Sequence, residues 1–143
     1  VAKTAAFGDN LIFAWIVSNN QGSAHSIGRA TFNGWTGFTS VVAQHDASSL
    51  VGNPGVLVDR ADRGNADVLG YDFFRVGVNR LTPGSNTKVF WALSNATVYK
   101  DSFTSLQNGS VTEASTFAPD VVPEPGTILA LAGGLALLRR RKR

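Results

Sequence analysis

Apolar residues along this chain fall in short runs separated by Gly, Asn, Pro and Ser clusters, and before residue 126 none keeps a helical period over the length of an ordinary helix. Residues 11–17 are apolar, aromatic or β-branched and run into Ser18-Asn19-Asn20-Gln21-Gly22, the pattern of a buried strand ending in a loop. Residues 27–32 and 35–44 flank Asn33-Gly34. Both members of that dipeptide tolerate positive φ, so it predicts a tight hairpin. Residues 55–59 read as a short strand after the Asn53-Pro54 breaker. From 68 to 80 the chain alternates, with Phe74, Val76 and Val78 on one face and Phe73, Arg75, Gly77 and Asn79 on the other. Thr82-Pro83-Gly84-Ser85-Asn86 turns the chain, and residues 88–99 return with Val89, Trp91 and Leu93 on one face, which predicts a central hairpin of two long strands. Residues 103–106 and 111–117 supply edge strands around Asn108-Gly109. Short strands punctuated in this way predict an all-β body over residues 1–117, an antiparallel β-sandwich or jelly roll, followed by a linker at 118–122.

The pattern changes at the C-terminus. Val122 and Glu124 each precede a proline, which disfavours the α region and keeps the backbone extended, as a processing enzyme requires of its substrate. Ile128 to Leu138 then carries no polar side chain, and its Leu and Ala content predicts an apolar helix over 126–138. Arg139, Arg140, Arg141, Lys142 and Arg143 follow at once. A basic cluster directly after an apolar helix holds that end in the cytoplasm and places the body across the membrane. The 13 residues of 126–138 make roughly 20 Å of helix at about 1.5 Å per residue, against a hydrocarbon core of about 30 Å. Such a span is short for a permanent anchor and suits a temporary one, because the arginines can snorkel and the bilayer can thin.

Pro123, Glu124 and Pro125, the apolar run and the basic end together resemble the PEP-CTERM sorting signal of exported proteins in Gram-negative bacteria. The resemblance implies recognition by an exosortase, a multipass membrane enzyme of cysteine-protease type, with this chain as its substrate. It implies localisation first at the inner membrane, with the body in the periplasm, and then at the cell surface or outside after processing. Many carriers of the signal are tied to exopolysaccharide and biofilm production. The likeness is confined to residues 123–143, so the body inherits only export from it.

Composition is skewed by the tail. Five of the 13 basic residues are the last five positions, and the remaining eight face ten acidic ones, so residues 1–138 carry a net −2 although the whole chain is +3. The body has no basic patch, and nucleic acid is not an expected partner. There is no cysteine, which excludes disulfides, thiol catalysis and cysteine-ligated zinc. The chain starts at Val1 rather than Met, so a signal peptide is expected upstream. The competing reading, 11–17 as the apolar core of a signal peptide cut after Ala24, is weakened by its length and by Asp9 where positive charge is expected.

Chemistry-bearing residues are sparse in the body. His45-Asp46 with Ser48 and Ser49 makes a poor triad, since sequence neighbours point apart, and His25 stands alone. Asp9, Asp46, Asp59, Asp62, Asp67, Asp72, Asp101 and Glu113 are the carboxylates from which a glycosidase pair would come, and no spacing selects two of them. The segment 59–67 offers Asp59, Asp62, Asn65 and Asp67 as calcium ligands. Its spacing is not that of an EF-hand, and Arg60 and Arg63 can neutralise the same carboxylates, so solvated ion pairs are favoured over calcium and no cofactor is expected. Trp35, near the Asn33-Gly34 turn, is a candidate for stacking on a sugar face, weighed against the commoner role of packing on Phe32; Trp15 and Trp91 read as core. Asn95-Ala96-Thr97 and Asn108-Gly109-Ser110 match the glycosylation acceptor pattern, which carries little weight in a bacterial chain. Two functions follow as expectations: a non-enzymatic surface or matrix protein, or a secreted polysaccharide hydrolase working through carboxylates.

Overall fold

The computed structural model describes residues 2–3, 10–44, 55–74, 81–107 and 110–122. Nine strands form within them: β1 (Ala2–Lys3), β2 (Leu11–Trp15), β3 (Arg29–Phe32), β4 (Ser40–Gln44), β5 (Arg60–Asn65), β6 (Val68–Asp72), β7 (Phe90–Ser94), β8 (Val98–Gln107) and β9 (Val111–Asp120). One antiparallel sheet has the order β1-β2-β7-β4, three full strands plus the two-residue β1; the other has the order β5-β6-β3-β8-β9. They pack as a sandwich.

Alternation sorts the side chains between core and surface. Leu11 and Phe13 of β2 and Phe90, Ala92 and Ser94 of β7 point inward from the first sheet. Ala30 and Phe32 of β3 and Leu69 and Tyr71 of β6 meet them from the second. Aromatic rings meet one another at the centre of this core. Trp15 packs at a tilt on Phe32 with ring centroids 4.2 Å apart, Tyr71 likewise on Phe90 at 4.6 Å, and Phe13 meets Trp35 edge-on at 5.1 Å. Each fully buried ring of this kind contributes on the order of 2–3 kcal/mol, which lets the body dispense with disulfides. The Trp15 Nε1–H also donates to the Thr116 hydroxyl of β9 at 2.9 Å, tying the two sheets together.

Two of the expected hairpins are corrected by this topology. Gly34 does adopt positive φ, at 88°. Yet β3 pairs with β6 and β8, whereas β4 pairs with β7, so residues 33–39 cross from one sheet to the other. Left-handed backbone serves a crossover as well as a reversal, and the dipeptide alone does not distinguish them. The central hairpin of 68–80 with 88–99 is likewise replaced: β6 ends at Asp72, and β7 lies in the opposite sheet. Residues 75–80 lie outside the described residues. On β7 the period is as expected but the faces are reversed, with Phe90 and Ala92 inward and Trp91 half-buried on the outer face. In an unbroken apolar run the alternation has no marker of which set faces in.

Three segments also change boundaries. Residues 55–59 form only an isolated parallel bridge, Val56 to Thr87, while 60–65, read as loop, are strand β5. β8 and β9 make the hairpin expected around Asn108-Gly109, in register from Gln107↔Val111 to Val98↔Asp120. It is longer than expected, and it absorbs most of the supposed linker: β9 runs to Asp120, and Ala118 and Pro119 are buried. Ala118 is held because the crossover packs on it; a Cβ at Gly34 would stand 2.8 Å from the Ala118 Cβ. The expected helix at 126–138 lies outside the described residues.

Candidate functional site

The 59–67 segment forms one arm of the β5–β6 hairpin, and its carboxylates face different ways. Asp62 lies on the outer surface of the five-stranded sheet, where the Arg29 guanidinium donates to it twice, at 2.8 and 2.9 Å. Arg29 reaches Asp72 as well, at 2.6 Å. Arg60 closes the cluster from the edge, 3.1 Å from Asp62 and 3.6 Å from Asp72. Register explains the assembly, since Arg29 and Arg60 both stand opposite Asp72. Gly70 leaves the floor empty: a Cβ there would collide with the Arg29 guanidinium. The hydrogen bond from Arg29 foremost, then that from Arg60 and the two positive charges, holds the Asp62 carboxyl down at about 2, and the same pairs raise Arg29.

Asp67 turns the other way, toward the crossover. The Thr36 hydroxyl donates to it at 2.8 Å and the Thr36 N–H at 3.2 Å, and its pKa is lowered, chiefly by that hydroxyl. Asn65 accepts from the Asp67 N–H at 2.8 Å. Of the two arginines expected to neutralise carboxylates here, Arg60 does so. Arg63 instead donates to the backbone carbonyls of Trp35, Phe38 and Ala66. It clamps the crossover to the β5–β6 turn, a role that pair-counting in the sequence had missed. Among the described residues, no three His, Asp or Glu side chains gather in metal-binding geometry.

Trp35 lies beneath this clamp with no exposed surface, between Phe13 and Trp15. Its ring therefore presents no face to a sugar, because crossing between the sheets carries it into the core rather than to a turn tip. Its neighbour Thr36 is exposed. His25 is exposed, and its carbonyl accepts from Asn19 and Ser23. Asn95 accepts from the Thr39 N–H at 3.0 Å, bracing the crossover from the β7 end. Asp9, His45, Asp46, Ser48, Ser49 and Asn108 lie outside the described residues.

The remaining candidate is the place where the chain leaves the sandwich. β9 is the last strand of its sheet, and Asp120, at its end, meets Lys100 at 3.5 Å. Val121 and Val122 follow, both exposed. Residues 121–143 match the family model described as the PEP-CTERM protein-sorting motif. The chain carries a PEP-CTERM sorting signal. The signal implies an exported, membrane-sorted protein processed by an exosortase, with a β-sandwich as its body. No curated protein and no solved structure matches the chain.

The PEP-CTERM signal thus starts directly where β9 ends, without a spacer domain. Pro123, Glu124, Pro125 and the basic residues Arg139, Arg140, Arg141, Lys142 and Arg143 lie outside the described residues, as does the candidate span. Among the described residues no helix is long and apolar enough to cross a membrane. The outward face of the β8–β9 hairpin beside the signal carries Tyr99, Phe103 and Phe117, each substantially exposed, with Tyr99 and Phe117 in edge-to-face contact at 5.2 Å. The odd-numbered alternation of residues 99–103 is the sequence signal for this strip; the expected break between strands 88–99 and 103–106 is replaced by the continuous strand β8.

Proposed function

We propose that the chain is a non-enzymatic exported protein whose sandwich has a structural or binding role in exopolysaccharide or biofilm at the cell surface. In this reading the body first waits in the periplasm, held to the inner membrane by residues 126–138, and is released or transferred when an exosortase acts near Pro123, Glu124 and Pro125. The observation that carries it is the sorting signal joined directly to the last strand of a sandwich with an aromatic core. The carboxylate chemistry of the body points the same way. Asp62 and Asp72 share a face, but both clasp the Arg29 guanidinium, and Asp62 is pushed down rather than up. A glycosidase acid needs the opposite shift.

Two measurements test this. The intact mass of the protein from its native cells, with and without the sorting enzyme, should show loss of the C-terminal signal only when the enzyme is present; retention of residues 126–143 in both would remove the processing step. Full-length protein incubated with exopolysaccharide from the same cells should co-sediment with it and release no new reducing ends. Release of reducing ends would replace the matrix reading with the hydrolase.

A further inference from the structure

We infer that the outward aromatic strip of the β8–β9 hairpin, Tyr99, Phe117 and Phe103, is a lipid-contact surface that lies against the outer leaflet of the inner membrane while the sorting signal is uncut. The inference rests on the reading of residues 126–138 as a membrane segment and goes beyond it by assigning a face of the body to the bilayer.

Tether length forces the approach. Between Asp120, the last residue of β9, and Gly126, where the apolar segment starts, stand five residues. From Asp120 to Gly126 the chain takes six steps, which at about 3.3–3.6 Å each span at most roughly 22 Å. Half the difference between total bilayer thickness and hydrocarbon core, roughly 6 Å, is taken up by headgroups. The strand end is therefore within roughly 16 Å of the headgroup surface even when the tether is straight. The short span tightens this further, because a segment that matches the core poorly draws its flanks toward the bilayer.

What the strand end presents suits that position. Antiparallel register sets Asp101 opposite Phe117 and Phe103 opposite Ser115, all exposed on the outer face, and Tyr99, exposed too, opposite Pro119, which is itself buried. Tyr99 is 53% exposed, Phe103 46% and Phe117 40%, and Val121 and Val122 extend the apolar surface along the tether. Aromatic rings are favoured at headgroup depth, where the ring body is apolar and the Tyr hydroxyl stays wet. Asp101, exposed in the middle of the strip, resists anionic lipid and confines the contact to headgroup depth. The charged cluster of Arg29, Arg60, Asp62 and Asp72 lies on the same sheet, from the central strand β3 to the far edge; Arg29 stands opposite Gln107, at the turn end of the β8–β9 hairpin and so away from the tether.

The chain has no cysteine, so single spin labels can be placed at will. Full-length protein carrying Ser115→Cys, Val41→Cys or Leu135→Cys is reconstituted in vesicles of equal parts phosphatidylethanolamine and phosphatidylglycerol, and collision with oxygen and with a water-soluble nickel chelate is measured. Ser115 lies in the strip, Val41 on the outer face of the opposite sheet, and Leu135 in the apolar segment. The expected result is a lipid signature at 115 and 135, an aqueous one at 41, and loss of the lipid signature at 115 alone in a Tyr99→Ser/Phe117→Ser background. Lipid contact at 135 with water at 115 overturns the docking surface and leaves the anchor standing. Water at 135 overturns both.

Discussion

Gly34→Ala tests whether the crossover is locked against the strand that carries the sorting signal. Two penalties act there. Gly34 has φ 88°, and a residue with a Cβ pays about 1–2 kcal/mol to stay in that region. The new methyl also meets the Ala118 Cβ at 2.8 Å. Ala118 is short, fully buried and fixed on β9, so the contact is relieved only by moving backbone, at about 1–3 kcal/mol. Together they predict a loss of about 2–5 kcal/mol, read as a fall in the urea midpoint of detergent-solubilised full-length protein followed by tryptophan fluorescence. Ala118→Gly alone costs about 1–2 kcal/mol, from one buried methyl and a glycine in a strand. In the double variant the clash disappears while the φ penalty stays. The pair should therefore be less destabilised than the sum of the singles by about 1–3 kcal/mol. A Gly34→Ala effect below about 0.5 kcal/mol, or additivity within that amount, would falsify the packing argument.

Three further outcomes are expected. Folding lowers the Asp62 pKa from 3.8 to about 2, so its ion pairs stabilise fully above pH 4 and fade as pH falls toward 2; Asp62→Asn should flatten the urea-midpoint profile over that window, and an unchanged slope would assign the acid sensitivity elsewhere. Arg63→Met removes donors to the Trp35, Phe38 and Ala66 carbonyls and should cost about 1–3 kcal/mol, with faster amide exchange in residues 35–38; a midpoint equal to wild type would show the clamp to be idle. Replacing Arg139, Arg140, Arg141, Lys142 and Arg143 together by serine should weaken retention of that end in the cytoplasm, measured as protease accessibility of a C-terminal tag from the periplasmic side, and full protection of the tag would refute the stop role.

Local patterns were legible where one residue type decides the geometry. The β8–β9 hairpin and the strand character of 11–15 followed from turn chemistry and apolar runs, and the sorting signal from its three-part order. Pairings that depend on distant segments were not. Asn33-Gly34 supplies left-handed backbone, but only the demand of Trp35 for a place among Phe13 and Trp15 turns that bend into a crossover. Strand β5 reads as Arg-Ala-Asp-Arg-Gly-Asn, without an apolar pattern, because it sits at a sheet edge and is stabilised by Arg29 and Asp72 from other strands. Charge types at 60–63 suggested ion pairs, and the dominant partner, Arg29, lay 33 residues away.

The ten-pair register of β8 and β9 also has a mechanical meaning. Ladder hydrogen bonds lie perpendicular to the strands. Tension applied at Asp120 along the axis of β9 loads them in parallel, as shear, whereas tension across the sheet would peel them one at a time. The side chains of Ala118 and Thr116 add stops against the crossover and the opposite sheet. A pull on the tail by a bilayer or by a membrane enzyme along that axis thus meets the whole hairpin at once, and the sandwich can be towed by its last strand without being unravelled from it.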